Sequence, residues 1–128
     1  MDDRVERRGP RVWTREQPEP SPTRPRMRTR WIIAPDPDGW SDVALSEWEL
    51  ERAGWTDRHP HTETNIVLAG ELHVECEGTT VVVGEGQTVQ VPGGSTGRYW
   101  APSYARMLAV YGPNPDAEDT EATEYWEI

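Results

Sequence analysis

Between residues 43 and 111 the chain breaks into short stretches in which apolar and polar positions alternate or β-branched residues cluster, each bounded by glycine or proline. Residues 47–51 alternate strictly as Glu-Trp-Glu-Leu-Glu, and residues 64–68 are apolar and β-rich. Residues 71–77 alternate again, with Leu72, Val74 and Cys76 opposite Glu71, His73, Glu75 and Glu77. Successive side chains of a strand point to opposite faces, so each stretch predicts a short strand with one face buried. Residues 79–83, 88–91, 98–100 and 105–111 continue the series. Ala69-Gly70 and Glu77-Gly78 offer the positive-φ residue that a two-residue hairpin needs, and Gly84-Glu85-Gly86 and Pro92-Gly93-Gly94 supply the next two reversals. Seven or eight short strands at this spacing predict an all-β antiparallel sandwich or barrel with almost no helix.

The ends carry a different pattern. Pro10, Pro18, Pro20, Pro22 and Pro25 forbid a regular helix or central strand in residues 1–30, and the Arg-rich remainder has little to bury. That segment is expected to be an arm, disordered or docked on a partner subunit, with Trp13 and Trp31 as aromatic docking points. Pro35-Asp36-Pro37-Asp38-Gly39 is turn chemistry, so the folded barrel is expected over residues 31–115. Residues 116–128 carry six acids and no Arg, which predicts a short acidic tail, although Tyr125, Trp126 and Ile128 offer anchors for a terminal helix or strand.

Composition narrows the partners. A chain of 128 residues with 34% hydrophobic content supports one modest core. All 13 basic residues are Arg and the net charge is -10; residues 1–30 hold nine Arg against five acids, a net +4, which leaves four Arg against 18 acids, a net -14, in the rest. A body that acidic repels phosphate backbones, so no nucleic-acid partner is expected. No run is apolar enough for a spanning helix, the first residues lack the apolar stretch of a secretory signal, and the lone Cys76 forms no internal disulfide. A cytoplasmic protein that does not bind membranes is the expectation. Cys76 shares the apolar side of its strand with Leu72 and Val74 and reads as an inert packed thiol.

The chemistry concentrates in His59-Pro60-His61-Thr62-Glu63, two imidazoles and a carboxylate at odd positions that share a face if the stretch is extended. Such a set is a candidate metal half-site, and the bland alternative is a polar turn at a barrel mouth. Asn65 shares the parity of Glu63 and is expected to face the same cavity. Arg98 offers a guanidinium fork for a ligand carboxylate or phosphate, and Tyr99, Trp100 and Tyr104 are candidate pocket walls. His73, among glutamates, is expected on the polar face of its strand.

Glu63 followed by Gly70 within Val67-Leu68-Ala69-Gly70-Glu71-Leu72, and Gly86 followed by Pro92 and Gly94, resemble the two conserved motifs of the cupin superfamily. Together with Glu77-Gly78-Thr79 and Ala105-Arg106-Met107-Leu108-Ala109-Val110-Tyr111, they are similar to small cupins related to the ethanolamine-utilisation protein. The resemblance covers roughly residues 43 to 112 and implies an antiparallel jelly-roll barrel, often a homodimer, with ligand and metal inside and a link to amino-alcohol metabolism. In the family pattern a His-x-His pair precedes the glutamate and a fourth ligand, a His, follows the second-motif glycine. Counting back from Gly70 puts Glu63 on the carboxylate, His59 on the second His and Asp57 in place of the first; a shortened turn instead makes His59, His61 and Glu63 the set. The fourth position falls on Gly97, which has no side chain to offer.

Two histidines, one carboxylate and waters suit Mn, Fe, Ni, Co or Zn with open positions for a substrate, so a divalent transition metal on His59, His61 and Glu63 is expected, with Asp57, Asn65, Arg98, Tyr99 and Trp100 toward a small polar metabolite. Isomerase, lyase and oxygenase chemistry all suit such a site. A non-enzymatic binding or accessory barrel with a degenerate metal site is the alternative. A kinase-like activity finds no support in the residues, because a chain without Lys cannot build the usual P-loop.

Overall fold

The computed structural model describes residues 9–18 and 21–128; the expectations for residues 1–8 and 19–20 of the arm lie outside the described residues. Seven strands follow in order: β1 (Met27–Ile33), β2 (Ala44–Arg58), β3 (Glu63–Cys76), β4 (Thr79–Gly84), β5 (Thr88–Val91), β6 (Thr96–Tyr111) and β7 (Glu121–Glu127). No helix occurs among the described residues. All pairings are antiparallel, in the order β1-β2-β6-β3-β4, with β5 added to β3 and β7 added to β2. This is the all-β architecture expected from the strand spacing and the antiparallel jelly-roll that the cupin resemblance implies.

The strands are fewer and longer than the alternation suggested. Residues 64–68 and 71–77 belong to one strand, β3, and residues 98–100 and 105–111 to another, β6. Ala69-Gly70 is therefore no hairpin. Gly70 takes a φ of 77° inside β3, where the register with β6 shifts, and a Cβ there would meet the Tyr104 carbonyl oxygen at 2.0 Å. Glu77-Gly78 is the hairpin, with φ values of 52° and 78° between β3 and β4. Left-handed values at both central residues match the twist of the flanking strands.

A second irregularity sits in β2. Arg52 has a φ of 47°, and the register with β6 shifts between Glu51 and Ala53. An extra residue in one strand of a pair inverts the alternation beyond it. Before the shift Ala44, Ser46, Trp48 and Leu50 are buried; after it the buried positions are Ala53, Trp55 and Asp57. β3 behaves alike, with Glu63, Asn65 and Val67 buried before its shift and Leu72 and Val74 after it. Each long strand thus bends over the interior and carries a different short partner on each half: β1 and β7 on β2, β5 and β4 on β3.

The inward sets close one core. Leu50, Leu72, Tyr99, Ala101, Ala105, Met107 and Ala109 have no exposed surface, and Trp48 packs edge-on to Tyr99 with ring centroids 5.6 Å apart. Cys76 packs partly buried against this core. Two boundaries differ from the expectation. β1 starts at Met27, so the last residues of the Arg-rich segment are strand, and residues 121–127 form β7 against residues 53–58 of β2. Gly54 makes room for that pairing, because a Cβ there would meet the Trp126 ring at 2.1 Å.

Candidate functional site

The β2–β3 connection carries the site. His59 to Thr62 form a loop between the two strands, so the extended geometry that would put His59, His61 and Glu63 on one face is absent. Asp57 comes inward at the end of β2 because of the shift at Arg52, and Glu63 opens β3 pointing inward, 3% exposed. His59 leaves the loop toward both. Its Nε2 lies 2.7 Å from Glu63 Oε1 and 3.1 Å from Asp57 Oδ2. Among the described residues, Asp57, His59 and Glu63 form the group whose ligand atoms lie within 4.8 Å of one another.

Every member of the trio is tied from behind. Trp55 Nε1 donates to Asp57 Oδ2 at 2.8 Å, and Asn65 Nδ2 donates to Glu63 Oε2 at 2.7 Å. Asn65 is itself fixed by Trp48 Nε1, which donates to its Oδ1 at 2.7 Å. Thr120, in the segment before β7, places its Oγ1 2.6 Å from His59 Nδ1. The one buried atom of the imidazole left without an aligned hydrogen bond is Nε2. An imidazole oriented through one nitrogen while the other faces two fixed carboxylates is the second-sphere pattern of a metal ligand, so the residues fit a divalent cation. Asp57, His59 and Glu63 are the residues that could hold it.

The same arrangement sets the protons in the metal-free site. Burial works against a charged His59, but its contacts with Asp57 and Glu63, and their charges, outweigh burial and push it up to about 10. His61 goes the other way: burial and the neighbouring His59 lower it against the pull of the Thr62 carbonyl. The two rings stack with centroids 4.7 Å apart. His61 turns Nδ1 to the Thr62 carbonyl oxygen at 3.3 Å and is not part of the close trio, although it was expected to be a ligand alongside His59.

Gly97 stands directly across the ladder from Asp57, and its inward face is filled rather than open. A Cβ at Gly97 would meet the Tyr99 ring and hydroxyl at 2.8 Å. The Tyr99 phenol therefore takes the space of a side chain at the expected fourth-ligand position. Its hydroxyl is buried without a hydrogen-bond partner, and burial together with the Glu63 and Asp57 charges raises it well above its ordinary value.

A cavity of about 320 Å³ opens onto Asp57, His59 and His61. Trp31, Trp40, Trp55 and Tyr111 supply its aromatic walls, and Arg24 and Thr120 also line it. Of the residues expected to contact a ligand, Asp57 lines this cavity, while Asn65 and Tyr99 lie buried behind it. Arg98 and Trp100 do not line it. Gly97, Tyr99 and Ala101 are the inward positions of β6, which sends Arg98 and Trp100 outward, where the guanidinium stacks over Trp126 and Trp100. His73 is likewise outside, beside Glu71 and the Trp100 ring. Tyr104 is also removed from the cavity, donating to Glu49 Oε1.

Sequence reasoning missed Trp55, Thr120, Tyr111 and Arg24. Parity hid Trp55, since a register shift decides that Trp55 and Asp57 face inward. Thr120 and Arg24 come from segments whose composition reads as solvated.

A family model described as a cupin domain matches residues 46–111. The acetate kinase EutQ of Salmonella typhimurium (strain LT2) is 33% identical over 82 residues, 63% of this chain and 35% of that protein. The chain spans about a third of the length of the curated relatives it matches. A solved structure of ethanolamine utilization protein Q from the same organism is 29% identical with a TM-score of 0.60, covering 68% of this chain and 69% of that one. KdgF from Halomonas sp. shares the fold, with a TM-score of 0.64 at 16% identity over 82% of this chain and 94% of that chain.

Proposed function

This chain belongs to the cupin family, and on that premise we propose that it holds a divalent metal on Asp57, His59 and Glu63 and binds a small polar metabolite in the adjoining cavity. The observation that carries the reading is the trio itself: two carboxylates and an imidazole nitrogen, each oriented by a separate partner, facing one another in a buried pocket. One nitrogen and two oxygens make a harder donor set than two histidines and one carboxylate, which favours Mn or Fe over Zn. A bound ion of this kind supplies Lewis acidity to a ligand oxygen.

The remaining roles fall to the chain. His61, held neutral beside the trio, is placed to accept a proton from a bound ligand. Isomerase and lyase chemistry, in which a proton moves next to a polarised oxygen, suit this pairing. The name of the Salmonella relative of solved structure places that protein in ethanolamine utilisation, and we extend to this chain a role in related small-molecule metabolism. A cytoplasmic location agrees with that role.

Metal analysis of the purified protein, followed by calorimetric titration of the metal-free form with Mn²⁺ and Fe²⁺, tests the reading. We expect about one ion per chain and loss of binding in Asp57→Asn, His59→Ala and Glu63→Gln. Absence of bound metal, or variants that bind as well as the parent, would refute it. A second reading, a barrel that binds without catalysing, is favoured by the filled position at Gly97, which leaves the ion one protein donor short of the family pattern. Metal and ligand uptake with no turnover of the bound ligand would favour that alternative, and a fully active His61→Gln variant would refute proton transfer through His61.

A further inference from the structure

We infer that Arg24 is the specificity residue of the cavity and that the ligand is an acid, gripped by its carboxylate at the mouth, rather than an amine. The inference rests on the reading of this cavity as the ligand site. Among the described residues that line it, Arg24 is the one permanent cation. Its guanidinium carbon sits 4.6 Å from the centroid of the Trp55 ring, whose indole nitrogen in turn holds Asp57. Stacking on an indole fixes the plane of a guanidinium while leaving its N–H groups on the edge, where they can receive a planar carboxylate in a two-pronged contact.

Arg24 also stands on a held segment. Its N–H donates to the Ser21 carbonyl at 3.2 Å, and its own carbonyl accepts from Met27 N–H at 3.1 Å as β1 begins. Two residues on, the Arg26 amide donates to Tyr125 Oη at 3.1 Å, its side chain donates to the Ile128 carbonyl at 3.1 Å, and its carbonyl accepts from Glu51 N–H at 2.9 Å. The turn is thus bolted to β2 and β7 beside the cavity. Among the described residues no carboxylate pairs with Arg24; Arg15, Arg26, Arg30, Arg58 and Arg106 have acidic partners, and of the described arginines without one, Arg24 is the one that lines the cavity. In a chain of net charge -10, an exposed arginine held over Trp55 at the edge of the cavity and paired with no carboxylate points to an anion from outside.

The aromatic walls do not argue for an onium ligand instead. Tyr111 packs edge-on against Trp31, His59 and His61, and Trp40 packs against His61, so these rings are engaged with one another, and the Trp55 face already carries a cation. A second cation would have to enter beside Arg24. The implied ligand is a small acid whose carboxylate meets Arg24 and whose other end reaches the trio.

Isothermal titration of the full chain, metal-free and Mn²⁺-loaded, with linear dicarboxylates from oxalate to adipate and with ethanolamine tests this. At least one dicarboxylate should bind, and Arg24→Gln should weaken it roughly 10- to 100-fold, as loss of a charge-assisted contact does. Arg24→Lys should recover part of that affinity, and Arg28→Gln, which removes a charge outside the cavity, should leave it unchanged. Mn²⁺ affinity should be the same in Arg24→Gln as in the parent. No dicarboxylate binding, an equal loss in Arg28→Gln, or tighter binding of ethanolamine overturns the inference while leaving the metal reading standing. Arg24-dependent acid binding by a chain that takes no metal supports the inference and removes the metal reading.

Discussion

His59 sits where a proton and a metal ion compete for one nitrogen. Without metal, its contacts with Asp57 and Glu63 keep the imidazole protonated up to about 10, against an ordinary 6.5. A metal ligand must give up that proton, so uptake of an ion near pH 8 should release about one proton per site. Calorimetry in buffers of different ionisation enthalpy would read it as a buffer-dependent heat, and a buffer-independent heat would argue against His59 as a ligand. The same shift fixes a stability trend for the metal-free chain. A group whose folded value lies above its unfolded value stabilises fully below the unfolded one and loses that contribution as pH rises through the folded one. Metal-free protein should therefore lose stability between about pH 6.5 and 10 through His59, and His59→Gln should flatten that slope in denaturation curves. Asn65 acts on the same trio from behind. It is completely buried and bonded on both sides, so Asn65→Leu strands Trp48 Nε1 and Glu63 Oε2; a loss of about 1–3 kcal/mol in urea unfolding is expected, with weaker metal binding.

At the scale of the elements, two irregular positions decide which side chains meet. Gly70 needs both a left-handed φ and the missing Cβ, since the Tyr104 carbonyl closes over it. Gly70→Ala should cost roughly 1–3 kcal/mol or more, visible as a lower urea midpoint, whereas Gly78→Ala, with nothing within 4 Å of its Cβ, should cost the backbone part alone. The local alternation made most strands legible, because burial of one face imposes a period of two wherever a strand is regular. It could not show where the period inverts. The shift at Arg52 lies in Glu51-Arg52-Ala53, a sequence with no glycine to mark it, and it alone turns Trp55 and Asp57 inward. Glu63 and His59 were legible from their spacing to Gly70, and Asp57 from the same count. His61 lines the cavity but turns its Nδ1 to the Thr62 carbonyl rather than to the carboxylates, and Arg98 takes the outward parity of β6, neither of which the spacing could show. Thr120 was not legible at all, since its role depends on β7 docking far along the chain.

For the whole molecule, the Arg-rich segment is two objects rather than one. Residues 27–30 belong to β1, and Arg30, 5% exposed, pairs with Glu47 at 3.0 Å and with Glu49 on the outer face of β2. Arg15 reaches the same Glu47 from the arm, but its side chain is 48% exposed, and Glu47 keeps Arg30 and, at 3.6 Å, Arg106 without it. Burial separates their weights: a half-exposed ion pair contributes at most about 1 kcal/mol, whereas removing one partner of a buried pair leaves a charge stranded and costs about 3–5 kcal/mol. Deleting residues 1–18 should accordingly leave the barrel folded, with a urea midpoint close to that of the full chain. Arg30→Met should lower that midpoint severely, and deleting residues 1–30 more so, because β1 and Arg24 go with it. If the shorter deletion unfolded the barrel as the longer one does, the arm would be part of the domain and the division at β1 would be wrong.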